Sequence, residues 1–221
     1  MRTAAVLPIK SFSRAKQRLG DAVGSVDRRE LAAAMAADVL GALAAVPQIG
    51  EVVVVTAEPL AARAAEAAGA TVLDDPAETG QSAAAGRGID AVVARGADRV
   101  LLVPGDCPVL DPGELGRLLG RPSDPPHVVI VPDRHGSGTN ALLLTPPEAV
   151  PPSFGAGSFA RHAARAHAAG ATVKVCELPS LGLDVDTPDD LTALRAALAA
   201  RPAAGSRTRA VLERLVPAGV G

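Results

Sequence analysis

Positive charge in this chain is written almost wholly as arginine. Of 22 lysines and arginines only Lys10, Lys16 and Lys174 are lysines, and the first two lie six residues apart in LPIKSFSRAKQRLG, just after the first apolar run. An ammonium on a flexible stem is a compact point charge, suited to gripping a triphosphate and following its charge as pyrophosphate leaves. A solvated loop position is the plainer reading for any single lysine; the scarcity of lysine elsewhere favours a specific anion for the pair. Arg14 and Arg18 extend the patch.

The second group is acidic: Asp106 in LLVPGDCPVLDP, and Asp184 with Asp186 in GLDVDTPDDL. Carboxylates at close quarters repel unless a cation neutralises them. Hard oxygen donors suit Mg²⁺, which takes one or two carboxylates and keeps the rest of its shell for water and substrate phosphates. Thr187, Pro188 and Asp190 already compose a helix start as N-cap, first residue and capping-box partner. Asp184 and Asp186 are left without that structural task. A third group is FGAGS, where Gly155 and Gly157 let backbone approach a ligand and Ser158 is expected to cap the following helix. A glycine loop opening a helix is a cradle for phosphate or carboxylate, though surface turns look alike. The HGSGTN loop, Gly136 to Asn140 with Thr139, shares this character.

Other chemistries lack their signatures. His127, His135, His162 and His167 have no metal spacing, and His162 and His167, five apart, do not share a helix face; they read as structural or solvent-facing. There is no Gly-x-Ser-x-Gly elbow, Walker A loop, Cys-x-x-Cys pair or G-x-G-x-x-G after the first strand. A net charge of −2 gives no reason to expect nucleic acid or membrane partners, and 1% aromatics nearly excludes base stacking. Cys107 and Cys176 read as reduced buried thiols. No apolar run has the roughly 20 residues of a membrane span and no targeting pattern opens the chain, so a cytoplasmic protein is expected.

These residues must be positioned by the elements around them. TAAVLPI, EVVVVTA, ATVLDD and DRVLLVPGD are short apolar runs without alternation, as buried parallel strands are. Alanine-rich stretches with helical spacing separate them. The pattern predicts an α/β fold, a three-layer, mostly parallel sheet with helices on both faces. HVVIVPD and NALLLTP are joined by DRHGSGT, too short for a crossover helix, which predicts an antiparallel element; TVKVCELP follows as a further strand. Residues 1–200 read as one domain, and 201–221 as a tail whose RTRAVLERLV forms a short, loosely held surface helix. In such sheets ligands gather at the carboxyl ends of strands, where Lys10, Asp106 and the Asp184/Asp186 pair all fall. After the second strand, TAEP offers only Glu58 as a charged group.

LPIKSFSRAKQRL, GDCPVL, HGSGTNALLL, FGAGSFARHAARA and LDVDTPDDL, in this order, resemble the 2-phospho-L-lactate or phosphoenolpyruvate guanylyltransferases of coenzyme F-420 biosynthesis, over roughly residues 3–200. The resemblance implies a nucleotidyltransferase fold of glycosyltransferase-A type and a transfer of GMP from GTP to a small phosphorylated carboxylic acid. It implies Lys10, Lys16 and Arg18 at the GTP phosphates, with Lys10, Lys16 and Asp106 catalytic. Mg²⁺ would be held by Asp106, Asp184 and Asp186. Thr139, Gly155 and Ser158 would bind the acceptor's phosphate, and Gly80, Gln81 and Ser82 would face the base, Ser82 standing where relatives often carry asparagine. The alternatives are another nucleotidyltransferase, such as a molybdopterin nucleotide transferase, or a regulatory nucleotide-binding domain, which has no need of three aspartates. Phosphoenolpyruvate, 2-phospholactate and 3-phosphoglycerate stay open as acceptors, as does a homodimer.

Overall fold

The structure, a computed structural model, describes residues 1–12, 19, 24–122 and 124–215. Arg14, Lys16 and Arg18 lie outside the described residues.

Seven strands form a single sheet in the order β3-β2-β1-β4-β6-β5-β7. They are β1 (Thr3–Ile9), β2 (Ile49–Thr56), β3 (Thr71–Asp74), β4 (Arg99–Leu102), β5 (His127–Pro132), β6 (Thr139–Thr145) and β7 (Thr172–Val175). All neighbouring pairs are parallel except those of β6, which runs antiparallel to both β4 and β5. The short DRHGSGT connection dictates this reversal. β1 is buried at all seven positions because β2 and β4 flank it and helices cover both faces.

The helices are α1 (Ser25–Ala44), α2 (Pro59–Ala67), α3 (Gln81–Ala94), α4 (Pro112–Leu119), α5 (Ser158–Ala168), α6 (Pro188–Ala200) and α7 (Ser206–Arg214). Side chains of α1, α2 and α4 pack on one face of the sheet with Ala5, Leu7, Val54 and Leu101. Those of α3 and α5 pack on the other with Val6, Val55, Ile130 and Leu142. The close seat of α3 depends on Gly88, where a Cβ would stand 2.3 Å from Cγ1 of Val6. A third cluster joins α1, α6 and α7 through Leu31, Met35, Leu194 and Val211. α7 is docked by the buried carboxylate of Asp38, which accepts the Arg207 and Thr208 backbone N–H groups at 3.2 and 2.8 Å. Asp38 sits inside the alanine-rich α1, where no sequence signal marks it as an anchor.

One irregularity matters for the site. Along β5 and β6, Val131 pairs with Ala141 but Pro132 pairs with Thr139, so Asn140 is an extra residue in the ladder. Such a bulge re-aims the side chains beside it. Among the described residues no helix is long and apolar enough to cross a membrane.

Candidate active site

The carboxyl ends of β1 and β4, the start of α3 and the loop before α6 enclose a cleft of about 260 Å³, lined by Lys10, Gln81, Asp106 and Asp186 over an apolar wall that includes Ile9, Phe12 and Met35. A second cavity of about 240 Å³ is lined by Lys10, Gly80, Gln81, Ser82, Phe154 and Gly155. Lys10 and Gln81 border both, so the two cavities adjoin and together are the trough at the sheet's rim. Thr139 and Ser158 line neither cavity; both are buried beside them, 8% and 1% exposed.

The three aspartates singled out from the sequence converge. Burial first, then the Asp106 carboxylate, push the Asp184 carboxyl above its ordinary value, and Asp186 adds a smaller push. The Asn140 side chain and a backbone hydrogen bond pull it back. Asn140 donates to the Leu181 carbonyl at 2.7 Å and to Asp184 Oδ1 at 3.2 Å, so the bulged residue of β6 aims the carboxylate. The Cys107 thiol reaches the same Leu181 carbonyl at 3.6 Å, tying the loop after β4 to the loop before α6. Asp190 completes the expected capping box with Thr187 and also accepts the Asp186 N–H at 3.0 Å. Among the described residues no three His, Cys, Asp or Glu side chains are grouped closely enough to hold a metal ion as a set. The donor chemistry nevertheless fits a hard cation. Every contributing group is a carboxylate, the oxygen donor that Mg²⁺ takes, and burial with the neighbouring Asp106 charge disfavours the ionised form of Asp184, which a bound cation would favour.

The loop after β1 is fixed by carboxylates that sequence reasoning missed. Glu58, 3% exposed, accepts the Phe12 N–H at 2.8 Å. It also caps α2 through the Leu60 N–H at 3.4 Å. Glu78 accepts the Ser11 N–H at 2.7 Å and itself holds a left-handed φ of 40°. Two consecutive backbone donors directly after Lys10 are thus held from the ends of β2 and β3. The lone charge in TAEP was the only sequence trace of Glu58. Behind Glu78, Arg87 of α3 pairs with buried Asp75 at 2.6 Å.

On the other side of the trough, α5 staples the loop before it. Arg161 donates to Ser153 Oγ at 3.0 Å and to the Ser153 carbonyl at 2.9 Å. The Phe154 N–H donates to Ser82 Oγ at 2.9 Å, joining this loop to the start of α3. Ser158 does not cap α5 as expected: Gly157 takes the N-cap with φ 69°, leaving Ser158 at the first helical position with its N–H on the Gly155 carbonyl at 3.0 Å. That left-handed conformation strains any residue with a Cβ, which is why glycine rather than serine holds the cap. Of the histidines, His135 and His167 are exposed, whereas His162 is wholly buried between Thr139 and Ser153. Cys107 and Cys176 are free and buried.

Residues 3–197 match a family model described as "Guanylyl transferase CofC like". The chain is 51% identical over 217 residues to a phosphoenolpyruvate guanylyltransferase of Conexibacter woesei, covering 98% of this chain and 97% of that one. It is 38% identical to the enzyme of the same name from Sphaerobacter thermophilus, over 88% and 93% of the two chains. Among solved structures, a nucleotidyl transferase from Methanothermobacter thermautotroptrophicus superposes with a TM-score of 0.61 at 20% identity, covering 90% of this chain and 99% of that one. At that identity the likeness speaks for the fold alone.

Proposed function

We infer that this chain, which belongs to the CofC-like guanylyl transferase family, transfers GMP from GTP to phosphoenolpyruvate with release of pyrophosphate. The observation that carries the reading is the near-full-length identity to phosphoenolpyruvate guanylyltransferases. The trough fits it: a cationic lip at Lys10, an acidic floor at Asp106 and Asp186, and the glycine loop at Gly155, all on one rim. The other nucleotidyltransferases and the non-catalytic domain weighed from sequence have no comparable support. We place the reaction in coenzyme F-420 biosynthesis.

The acceptor phosphate is already ionised at neutral pH, so its oxygen can attack the α-phosphorus of GTP without a general base. The burden falls on positioning, worth about 7–11 kcal/mol in favourable cases, and on charge stabilisation. Lys10, with Lys16 and Arg18, is assigned to the triphosphate and to the pyrophosphate that departs. Gly80, Gln81 and Ser82, at the uncapped start of α3, are assigned to the base. Thr139, Gly155 and Ser158 are assigned to the acceptor phosphate. Asp106, Asp186 and Asp184 would hold Mg²⁺, which bound there offsets the repulsion between two anionic substrates and the developing charge on the phosphoryl oxygens. Glu58 and Glu78 hold the Ser11 and Phe12 backbone directly after Lys10, and Asn140 donates to the Asp184 carboxylate.

The test is a panel of four nucleoside triphosphates against phosphoenolpyruvate, 2-phospholactate and 3-phosphoglycerate with Mg²⁺, scored by pyrophosphate release. GTP with phosphoenolpyruvate is expected to dominate. Equal release with CTP or ATP, or none with any acceptor, would overturn the reading.

A further inference from the structure

His162 is 0% exposed, and nothing in the reaction above uses it. Its two ring nitrogens touch two separate pieces of the acceptor side. Nε2 receives the Ser153 backbone N–H at 2.8 Å. A backbone N–H only donates, so Nε2 carries no proton. Burial first, then the guanidinium charges of Arg161 and Arg165, lower the ring's pKa to about 4, which leaves it neutral at pH 7. A neutral imidazole unprotonated at Nε2 bears its proton on Nδ1. Nδ1 lies 3.0 Å from Thr139 Oγ1, so the histidine donates and the hydroxyl oxygen accepts. The Thr139 hydroxyl proton must therefore point elsewhere.

We propose that His162 is a positioning residue for the acceptor site: it fixes the Thr139 hydroxyl as a hydrogen-bond donor to the acceptor's phosphate and, through Ser153, pins the glycine loop to the same spot. The β5/β6 bulge brings Thr139 to α5 in the first place. Phe154, edge-on to the ring with centroids 5.2 Å apart, keeps the imidazole from turning over. A neutral acceptor site with a hydroxyl free to accept would gain nothing from this order; an anionic ligand does, because it offers only acceptors. The inference rests on the assignment of this side to the acceptor.

Two independent measurements test it. Histidine ¹⁵N spectra at pH 7 should show His162 neutral with the proton on Nδ1; a proton on Nε2, or an imidazolium, overturns the proposal. Steady-state kinetics then separate positioning from mere support. His162→Asn retains a donor near Nδ1 but loses the acceptor for Ser153, and should raise the KM for phosphoenolpyruvate less than His162→Gln does. His162→Gln retains the acceptor for Ser153 but loses the donor, and should raise that KM about ten- to a hundredfold, the loss of one hydrogen bond to a charged group. The KM for GTP should be unchanged in both. In a Thr139→Val background, His162→Gln should add little more. Full additivity with Thr139→Val, or a parallel rise of both KM values tracking lost thermal stability, overturns the positioning role. If the wild-type protein releases no pyrophosphate from GTP and phosphoenolpyruvate, the functional reading fails and takes the acceptor half with it. Nδ1 protonation with additive kinetics in an active enzyme sinks the inference alone.

Discussion

Replacing Glu58 by alanine tests how the lysine loop is held. Among the described residues the side chain makes one good buried hydrogen bond, to the Phe12 N–H at 2.8 Å, and one long one, to the Leu60 N–H at 3.4 Å. Its ion pair with Arg29 spans 3.8 Å, and the arginine side chain is 51% exposed, so solvent screens it to near nothing. Orphaning the Phe12 donor costs about 1–3 kcal/mol, and losing the α2 cap about 1 kcal/mol more. The sum is about 2–4 kcal/mol. For a chain of this length each kcal/mol moves Tm by about 2–4 °C, so Glu58→Ala should melt roughly 5–15 °C lower. Phe12 follows Lys10 by two residues, so the same change frees the lysine and should raise the KM for GTP at least about tenfold, the equivalent of one lost charge-assisted contact. Glu58→Gln keeps a carbonyl oxygen for Phe12 and should lose less than half as much of each. Circular dichroism melting and pyrophosphate release at saturating phosphoenolpyruvate provide the two readings. A Tm within about 2 °C of wild type, below the smallest shift expected, together with an unchanged KM for GTP, would refute the reasoning.

Two further outcomes follow from the geometry. Because burial and Asp106 raise the Asp184 carboxyl above 3.8, the folded protein binds more protons than the unfolded chain between that value and the raised one. Stability therefore falls as pH climbs through the window, and the charged form is a liability at neutrality. Asp184→Asn should be inactive yet melt higher than wild type at pH 7 in EDTA, with the gap closing below pH 3.8; a lower melting point at pH 7 would contradict the charge assignment. Gly88→Ala places a Cβ 2.3 Å from Val6 and should cost about 1–3 kcal/mol of overpacking. Urea unfolding should show the loss while the folded enzyme keeps its turnover number; an unshifted midpoint would mean α3 can lift off β1.

Local signals account for what the sequence made legible. The strands announced themselves because each is a short β-branched run bounded by turn residues, and the reversal at β6 because six or seven residues cannot span a parallel crossover. The acidic convergence was legible because strand ends in such sheets face one rim, and Asp106 and Asp186 both stand there. Glu58 and Glu78 stayed hidden because their partners are backbone N–H groups 46 and 67 residues away, and backbone leaves no mark on sequence. Asn140 and His162 were hidden because their side-chain partners, Asp184 and Thr139, lie 44 and 23 residues away, a pairing only the fold creates. The expected Ser158 cap failed on a backbone dihedral at Gly157 that composition alone does not reveal.

Neighbours on a strand point to opposite faces, and the surplus residue where β6 meets β5 sets which face each one meets: Thr139 leans to the helix beneath one, Asn140 to the carboxylate loop beneath the other. The proposed acceptor and cation sides are in this way both tied to a single peptide. Deleting Asn140 would restore a regular ladder and remove the donor that aims Asp184, while Thr139, now beside Ala141, would still alternate toward the helix; a designer can therefore address the two sides at this pivot one at a time.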